Sequence, residues 1–259
     1  MLARSQILTR ALAFQNAMRY GLTRQQSTAT GSKDINWVFL GPPGVGKGTY
    51  ASRVAKALGV PHIATGDLIR DEIKSESSLG KEMKEIVSQG KLLPDDVVLK
   101  VLQHRLENGK KAGEKGYILD GFPRTRAQSE ALLQFTPVNL AVNLGLREEV
   151  LVEKCMGRRV CTHCGKNYNI ANIHLAASND RPEIVMPPLN PPPECAPHLE
   201  IRADDTELVI RRRLKIYSDE AQPVEDFFRE KGLLLDFEIT GGIPETLPVL
   251  TNALKPFTA

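Results

Sequence analysis

The chain has 259 residues, 41% apolar and 25% charged, which is enough to bury a full-sized core and ordinary for a globular protein. No run approaches the roughly 18 apolar residues that cross a bilayer, so a membrane-spanning helix is excluded. The net charge of +3 is unevenly placed: the first 33 residues carry Arg4, Arg10, Arg19, Arg24 and Lys33 and no acid, whereas the remainder holds 29 basic and 31 acidic side chains and offers no basic surface in bulk for nucleic acid.

The acid-free leader also has a helical apolar stripe, Ile7, Ala11, Phe14 and Met18, opposed by Ser5, Thr9 and Asn16. Organelle transit peptides have this character. Residues 1 to 30 are read as a leader removed on import, with a disordered basic tail as the alternative. The destination is organellar; the stripe puts the mitochondrion first, and the leader's Ser and Thr content keeps the plastid open.

After the leader, the apolar run Ile35–Leu40 leads into Gly41-Pro42-Pro43-Gly44-Val45-Gly46-Lys47-Gly48-Thr49 and then a helical pattern. A strand, a glycine turn and a helix start expose successive backbone N–H groups to phosphate oxygens, and the lysine ammonium reaches the outer phosphates. A side chain at Gly44 or Gly46 would hold the backbone away from the ligand, and some of these positions are expected at positive φ. The strict pattern places Ser or Thr directly after the lysine to ligate magnesium. Here Gly48 follows and the hydroxyl arrives at Thr49, so the magnesium site is expected to be completed elsewhere.

Short apolar runs at Ile35–Leu40, Pro61–Ala64, Gly116–Asp120, Val138–Leu144 and Leu233–Phe237 predict five strands buried on both faces, which is a parallel-sheet pattern. Between them the periodicity predicts a helix ending before Gly59, then helices over Leu79–Gln89, over Asp95–Leu106 with a stop at Asn108-Gly109, over Glu148–Arg158, over Asp204–Ser218 and over Val224–Lys231. The architecture expected is α/β with right-handed crossovers. From Gly157 to Asp205 the pattern breaks. That stretch holds Cys161, Cys164, Cys195 and seven prolines and reads as an inserted, loop-rich subdomain.

A second constellation is Tyr117-Ile118-Leu119-Asp120-Gly121-Phe122-Pro123-Arg124, an apolar strand ending in an acid and then an arginine. Ligands of open α/β sheets sit at such strand ends, where Asp120 can organise magnesium and Arg124 can grip phosphate in bidentate fashion. A structural Asp120–Arg124 salt bridge is the plainer alternative.

The order and spacing of Gly41–Thr49, Ala64-Thr65-Gly66-Asp67-Leu68-Ile69-Arg70, Gly90-Lys91-Leu92-Leu93, Asp120–Thr125, Gly157-Arg158-Arg159 and Arg202-Ala203-Asp204-Asp205 resemble the adenylate kinase family, long-lid and plant-like type, over about residues 35 to 256. The resemblance implies a P-loop nucleoside monophosphate kinase fold: a parallel five-stranded sheet flanked by helices, an AMP-binding insert over 64–93 and a lid over 157–205. It implies the reaction ATP + AMP ⇌ 2 ADP with Mg2+, on ATP and AMP as partners, with no nucleic acid or membrane, by a monomer.

Phosphoryl transfer passes through a loose transition state, so positioning and charge do most of the work and arginines should dominate the site. The resemblance puts Arg124, Arg158, Arg202 and Arg213 around the phosphates, with Lys47 and Asp120 as further catalytic residues. It assigns ATP to Gly44, Val45, Gly46, Lys47, Gly48, Thr49, Lys154, Arg158, Asn167, Tyr168 and Ile243. AMP falls to Thr65, Arg70, Lys91, Leu92, Leu93, Gly121, Phe122, Pro123, Arg124, Gln128, Arg202 and Arg213, with Gln128 and the 91–93 backbone reading adenine. No general base is required, because a phosphate with a second pKa of about 6 is largely ionised at neutral pH.

Two positions depart from the family pattern. Lys154 stands where an arginine commonly covers the donor adenine, and lacks the flat guanidinium that stacks. This keeps a GTP:AMP phosphotransferase open, beside the remoter reading of a non-catalytic P-loop switch. In the lid, Cys161-x-x-Cys164 and Cys195-x-x-His198 have the pair spacing of a tetrahedral zinc site, separated by 30 residues. Structural zinc on Cys161, Cys164, Cys195 and His198 is expected, with free thiols or a disulfide as alternatives. Cys155, on the preceding helix, reads as a small buried apolar residue.

Overall fold

The computed structural model describes residues 34–88, 93–178, 183–201 and 205–258; the leader, Lys91, Leu92 and Arg202 lie outside them. Five parallel strands form the central sheet: β1 (Ile35–Leu40), β2 (His62–Ala64), β3 (Gly116–Asp120), β4 (Leu140–Gly145) and, last in the chain, β10 (Leu234–Glu238), in the order β10-β4-β1-β3-β2. The expected strands are all present, with β4 and β10 shifted by one or two residues. β1 lies at the centre, with Trp37 in register with Ile118 on one side and Leu140 on the other. Its C-terminal end is therefore the point where crossovers diverge to left and right, the place where such sheets bind ligands.

Side chains alternate across a strand, so a strand buried on both faces needs apolar residues in both registers. Trp37 and Phe39 enter one core with Leu140, Val142 and Leu144, while Val38 and Leu40 enter the opposite core with Leu119, Ala141 and Phe228. Each such buried side chain contributes about 1.5–3 kcal/mol.

The helices covering the two faces are α1 (Lys47–Leu58), α4 (Asp95–Lys111), α5 (Arg126–Phe135), α6 (Glu148–Met156), α7 (Glu207–Glu230) and α8 (Ile243–Leu254). Two more, α2 (Thr65–Lys74) and α3 (Ser78–Ser88), pack on α4 around Met83, Val97 and Val101. Helix α4 does not stop at Asn108-Gly109. It continues to Lys111, and the glycine at positive φ that follows its end is Gly113 (φ 83°); Gly109 stays helical, with the paired Arg105 and Glu114 side chains in the space a β-carbon would take. The two helices expected over Asp204–Ser218 and Val224–Lys231 are one helix, α7, with Pro223 inside it. A proline removes one N–H, and burial of Ile210 and Leu214 before it and of Val224, Phe227 and Phe228 after it keeps the axis continuous. Helices α2, α5 and α8 were not anticipated; Gly66, a single-turn cap and Pro244 with Pro248 obscure their periodicity.

Between α6 and α7 the chain is less irregular than its prolines suggest. It forms a three-stranded sheet, β6 (Asn167–Asn169), β5 (Arg158–Cys161) and β9 (Leu199–Glu200), and a hairpin, β7 (Ile173–Leu175) with β8 (Ile184–Met186). The hairpin has no core of its own. Ile173, Ile184 and Met186 are buried in the core of the main sheet, and Val185 pairs through its backbone with Gly241.

Candidate active site

The turn after β1 has the predicted backbone: Gly44 and Gly46 sit at φ 86° and 103°, in the region that favours glycine. A β-carbon on Gly44 would also lie 2.6 Å from Cys155 Sγ and 2.9 Å from the Leu151 carbonyl oxygen, so α6 packs directly beneath the turn. Cys155 is accordingly buried, as expected, and burial raises its thiol pKa. Lys47 donates to the carbonyl oxygens of Gly41 (2.7 Å) and Pro42 (3.0 Å), within the turn it is expected to serve. Burial lowers its pKa to about 8; Asp120 opposes that shift, and Arg124 and Arg213 reinforce it. One acid and three cations of the predicted set therefore face one another at the ends of β1 and β3.

Asp120 ends β3 with Oδ2 3.1 Å from the point that a β-carbon on Gly48 would occupy. The carboxylate stands where the strict motif would place a side chain, which gives Gly48 its physical reason and places an oxygen ligand beside the phosphate turn. Arg124 donates through Nε to the Gly121 carbonyl oxygen at 2.8 Å, and the structure shows no Asp120–Arg124 ion pair among the described residues. Phe122 and Pro123, joined by a cis peptide, are buried beneath it. Sequence reasoning missed His62, whose Nε2 is buried 3.5 Å from Asp120 Oδ2. The signal was available in register: Ala64, two residues on, pairs with Asp120.

On the acceptor side, Thr65 begins α2 with its hydroxyl buried and unpartnered among the described residues. Arg70 is half-exposed and paired with Asp67. Gln128 is buried with both ends of its amide engaged: Nε2 donates to Asp95 Oδ1 at 2.6 Å, and Oε1 accepts the Arg124 N–H at 2.7 Å. Thr125 caps α5 by accepting from Gln128 N at 3.2 Å, so a Thr-x-x-Gln spacing marked this helix start. Leu93 is the described part of the predicted adenine edge.

On the donor side, Lys154 is no exposed helix lysine. Its ammonium donates to the Val45 carbonyl oxygen at 3.4 Å, beside Gly46, and burial lowers its pKa to about 8. Arg158, at the start of β5, donates through Nε to Asp205 Oδ2 at 2.7 Å and through Nη2 to Oδ1, a bidentate clasp on a carboxylate with no exposed side-chain surface. Sequence reasoning had quoted Asp205 within a motif without giving it a task. Ile243 begins α8 and packs on the main core.

In the lid segment, the sulfurs of Cys161, Cys164 and Cys195 lie within 4.8 Å of one another, and Cys164 Sγ and Cys195 Sγ are 3.5 Å apart. Asn167 and Tyr168 are on β6, and the Tyr168 hydroxyl is 3.8 Å from Cys164 Sγ. His198 is not in the cluster: its ring stacks on that of His163 with centroids 5.5 Å apart.

A strand, a glycine turn with an inward lysine, a helix start and an acid on the neighbouring strand define a P-loop nucleotide-binding protein of the phosphoryl-transfer class. A family model described as adenylate kinase matches residues 39–233. Among curated proteins, the chain is 57% identical to adenylate kinase of Solanum tuberosum over 224 residues, covering 86% of this chain and 78% of the relative. It is 53% identical to probable adenylate kinase 1, chloroplastic, of Oryza sativa subsp. japonica (95% and 83% covered) and 54% identical to adenylate kinase 1, chloroplastic, of Arabidopsis thaliana (86% and 78%). The chain belongs to the adenylate kinase family, and with it is a nucleoside monophosphate kinase.

Proposed function

We propose that the chain interconverts ATP plus AMP and two ADP through the residues gathered at the ends of β1 and β3. The observation that carries this reading is the convergence of Asp120, Arg124 and Arg213 on Lys47, four charges suited to bringing a triphosphate and a monophosphate together. Lys47 and the backbone of Gly44–Thr49 cradle the donor phosphates, and Lys47 exchanges its turn carbonyls for phosphate oxygens. Magnesium entering with ATP would supply charge neutralisation at the phosphates. Asp120, beside Gly48 and next to Thr49, is the residue that would hold it. Arg124, Arg158, Arg202 and Arg213 spread positive charge over the transferring group, and no side chain has to move a proton.

The acceptor is AMP, assigned to Thr65, Arg70, residues 91–93, Gly121–Arg124 and Gln128; the orphaned Thr65 hydroxyl supports this. Gln128 reads adenine by exchanging its bond to Asp95 for the base. The segment over 157–205 is a lid whose closure keeps water from the phosphoryl group. Lys154, Arg158, Asn167, Tyr168 and Ile243 line the donor side. The Lys154 ammonium rests on the P-loop carbonyl of Val45, which leaves the donor base to be decided by assay. ATP and GTP are crossed against AMP, GMP, CMP and UMP. ATP with AMP is expected to be the fastest pair by at least about tenfold; GTP with AMP outrunning it would transfer the assignment to a GTP:AMP phosphotransferase.

The leader is a transit peptide and the destination a plastid. The leader's stripe had put the mitochondrion first, but the relatives from rice and Arabidopsis are named chloroplastic and favour the plastid. A reporter fused to residues 1–33 should enter plastids; diffuse cytosolic signal would refute the leader reading. The chain acts as a monomer, testable by light scattering. The three lid thiols hold a structural metal of the zinc class. Zn–S bonds of about 2.3 Å at tetrahedral angles place sulfurs about 3.8 Å apart, close to the spacing of Cys164 and Cys195.

A further inference from the structure

A closed tetrahedral zinc site needs four protein ligands, and among the described residues the lid brings three together. The fourth residue of the expected set, His198, is held away by its own backbone as well as by its ring. Its N–H donates to the Cys195 carbonyl oxygen at 3.0 Å, and its carbonyl oxygen accepts the Thr162 N–H at 2.9 Å, across the junction of β5 and β9. Between these anchors the imidazole lies against His163, outside the sulfur cluster. Cys161 and Cys195 are buried and Cys164 is exposed, so one side of the cluster opens to solvent. Among the described residues, the Tyr168 hydroxyl also lies at the cluster, 3.8 Å from Cys164 Sγ.

We infer that the lid carries an open three-thiolate metal site, in which Cys161, Cys164 and Cys195 are the only protein ligands and the fourth position, beside the Tyr168 hydroxyl, belongs to an exchangeable water or small thiol. This rests on the reading that the cluster binds metal, and it replaces the four-ligand geometry expected from the sequence. Three sulfurs on one side of the ion suit soft, thiophilic metals: zinc or cadmium with one added ligand, and copper(I) in a trigonal sulfur shell with none. A vacant vertex also gives a competing chelator a place to attack without first displacing a protein ligand. The metal should therefore exchange more readily than from a closed four-ligand site.

The test uses the full chain, purified without chelators and loaded with zinc or, for spectroscopy, cobalt(II). X-ray absorption is expected to show three sulfurs and one oxygen or nitrogen without imidazole scattering. The His198→Ala variant should keep one metal per chain with a dissociation constant within about threefold of the parent, and Cys161→Ser or Cys195→Ser should weaken binding at least about a hundredfold, beyond the 10–100-fold typical of residues that only support ligands. Far-ultraviolet circular dichroism distinguishes ligand loss from unfolding. Imidazole in the zinc shell, or loss of metal in His198→Ala, would overturn the open site while leaving metal binding itself intact. Wild-type protein that takes up no zinc, cobalt or cadmium, with the three lid thiols titratable, would overturn both the site and the reading beneath it.

Discussion

The Asp120 carboxylate and Gly48 exclude each other's enlargement: a β-carbon on Gly48 would stand 3.1 Å from Asp120 Oδ2, tighter than ordinary contact. Restoring the hydroxyl of the strict phosphate-binding pattern, by Gly48→Ser, should therefore harm the enzyme. The carboxylate must give by a few tenths of an ångström, and it cannot do so freely because His62 lies 3.5 Å behind it. The rate of ADP formation at saturating nucleotide should fall about tenfold, or about 1.4 kcal/mol of transition-state stabilisation, with little change in thermal midpoint. Wild-type turnover in Gly48→Ser would show that Asp120 has room to move.

Lys47→Met and Arg124→Ala should each remove about 2 kcal/mol or more of transition-state stabilisation, roughly thirtyfold in rate. Lys47 faces the charges of Asp120, Arg124 and Arg213, and Arg124 is tethered to the Gly121 carbonyl. Single-turnover measurement of phosphoryl transfer separates this loss from product release. Near-normal transfer in either variant would remove it from the catalytic set.

Much of this could be read from the sequence, and the failures have physical causes. The five strands of the main sheet were legible because burial on both faces demands apolar residues in both registers, as Trp37, Val38, Phe39 and Leu40 supply. The P-loop was legible because Gly44 and Gly46 need both their φ values and their lack of side chains. Helix ends were not: Gly109 resembles a stop, yet the left-handed turn falls at Gly113, and Pro223 resembles a break, yet burial on either side keeps α7 whole. His198 lies outside the sulfur cluster, stacked on His163, a placement the x-x spacing could not foretell because it reports distance along the backbone and not the direction of the ring. The tasks of His62 and Asp95 depend on contacts between distant segments, which no local pattern records.

The clasp of Arg158 on Asp205 joins the start of the lid segment to the entry of α7. Asp205 has no exposed side-chain surface, so Asp205→Ala removes the bidentate carboxylate from a largely buried guanidinium. The expected cost is about 3 kcal/mol of unfolding free energy, as for other broken buried pairs, read from urea denaturation. Arg158→Ala should lose activity as well, because the same guanidinium is assigned to the phosphates. A denaturation midpoint unchanged in Asp205→Ala would mean that water replaces the carboxylate at no cost.

Lys47 and Lys154 both carry pKa values lowered to about 8 by burial, and both lie at the P-loop. A lysine whose folded pKa is below its unfolded value binds fewer protons when folded. It therefore penalises the free protein below about pH 8, and the penalty lifts as pH rises through that value towards the unfolded pKa near 10.4. Nucleotide reverses the balance, since a bound polyphosphate favours the charged ammonium. Binding of ATP should thus take up protons, on the order of one per chain, near pH 8.5 and almost none near pH 6.5, where both lysines are already charged. The nucleotide contributes nothing of its own at the higher pH, its last phosphate pKa being about 6. Titration calorimetry in buffers of different ionisation enthalpy measures the uptake directly. Lys154→Met should remove one share of it, and Lys47→Arg, which keeps the charge but cannot titrate in this range, the other. Proton uptake absent at both pH values would mean that neither lysine is desolvated before nucleotide arrives.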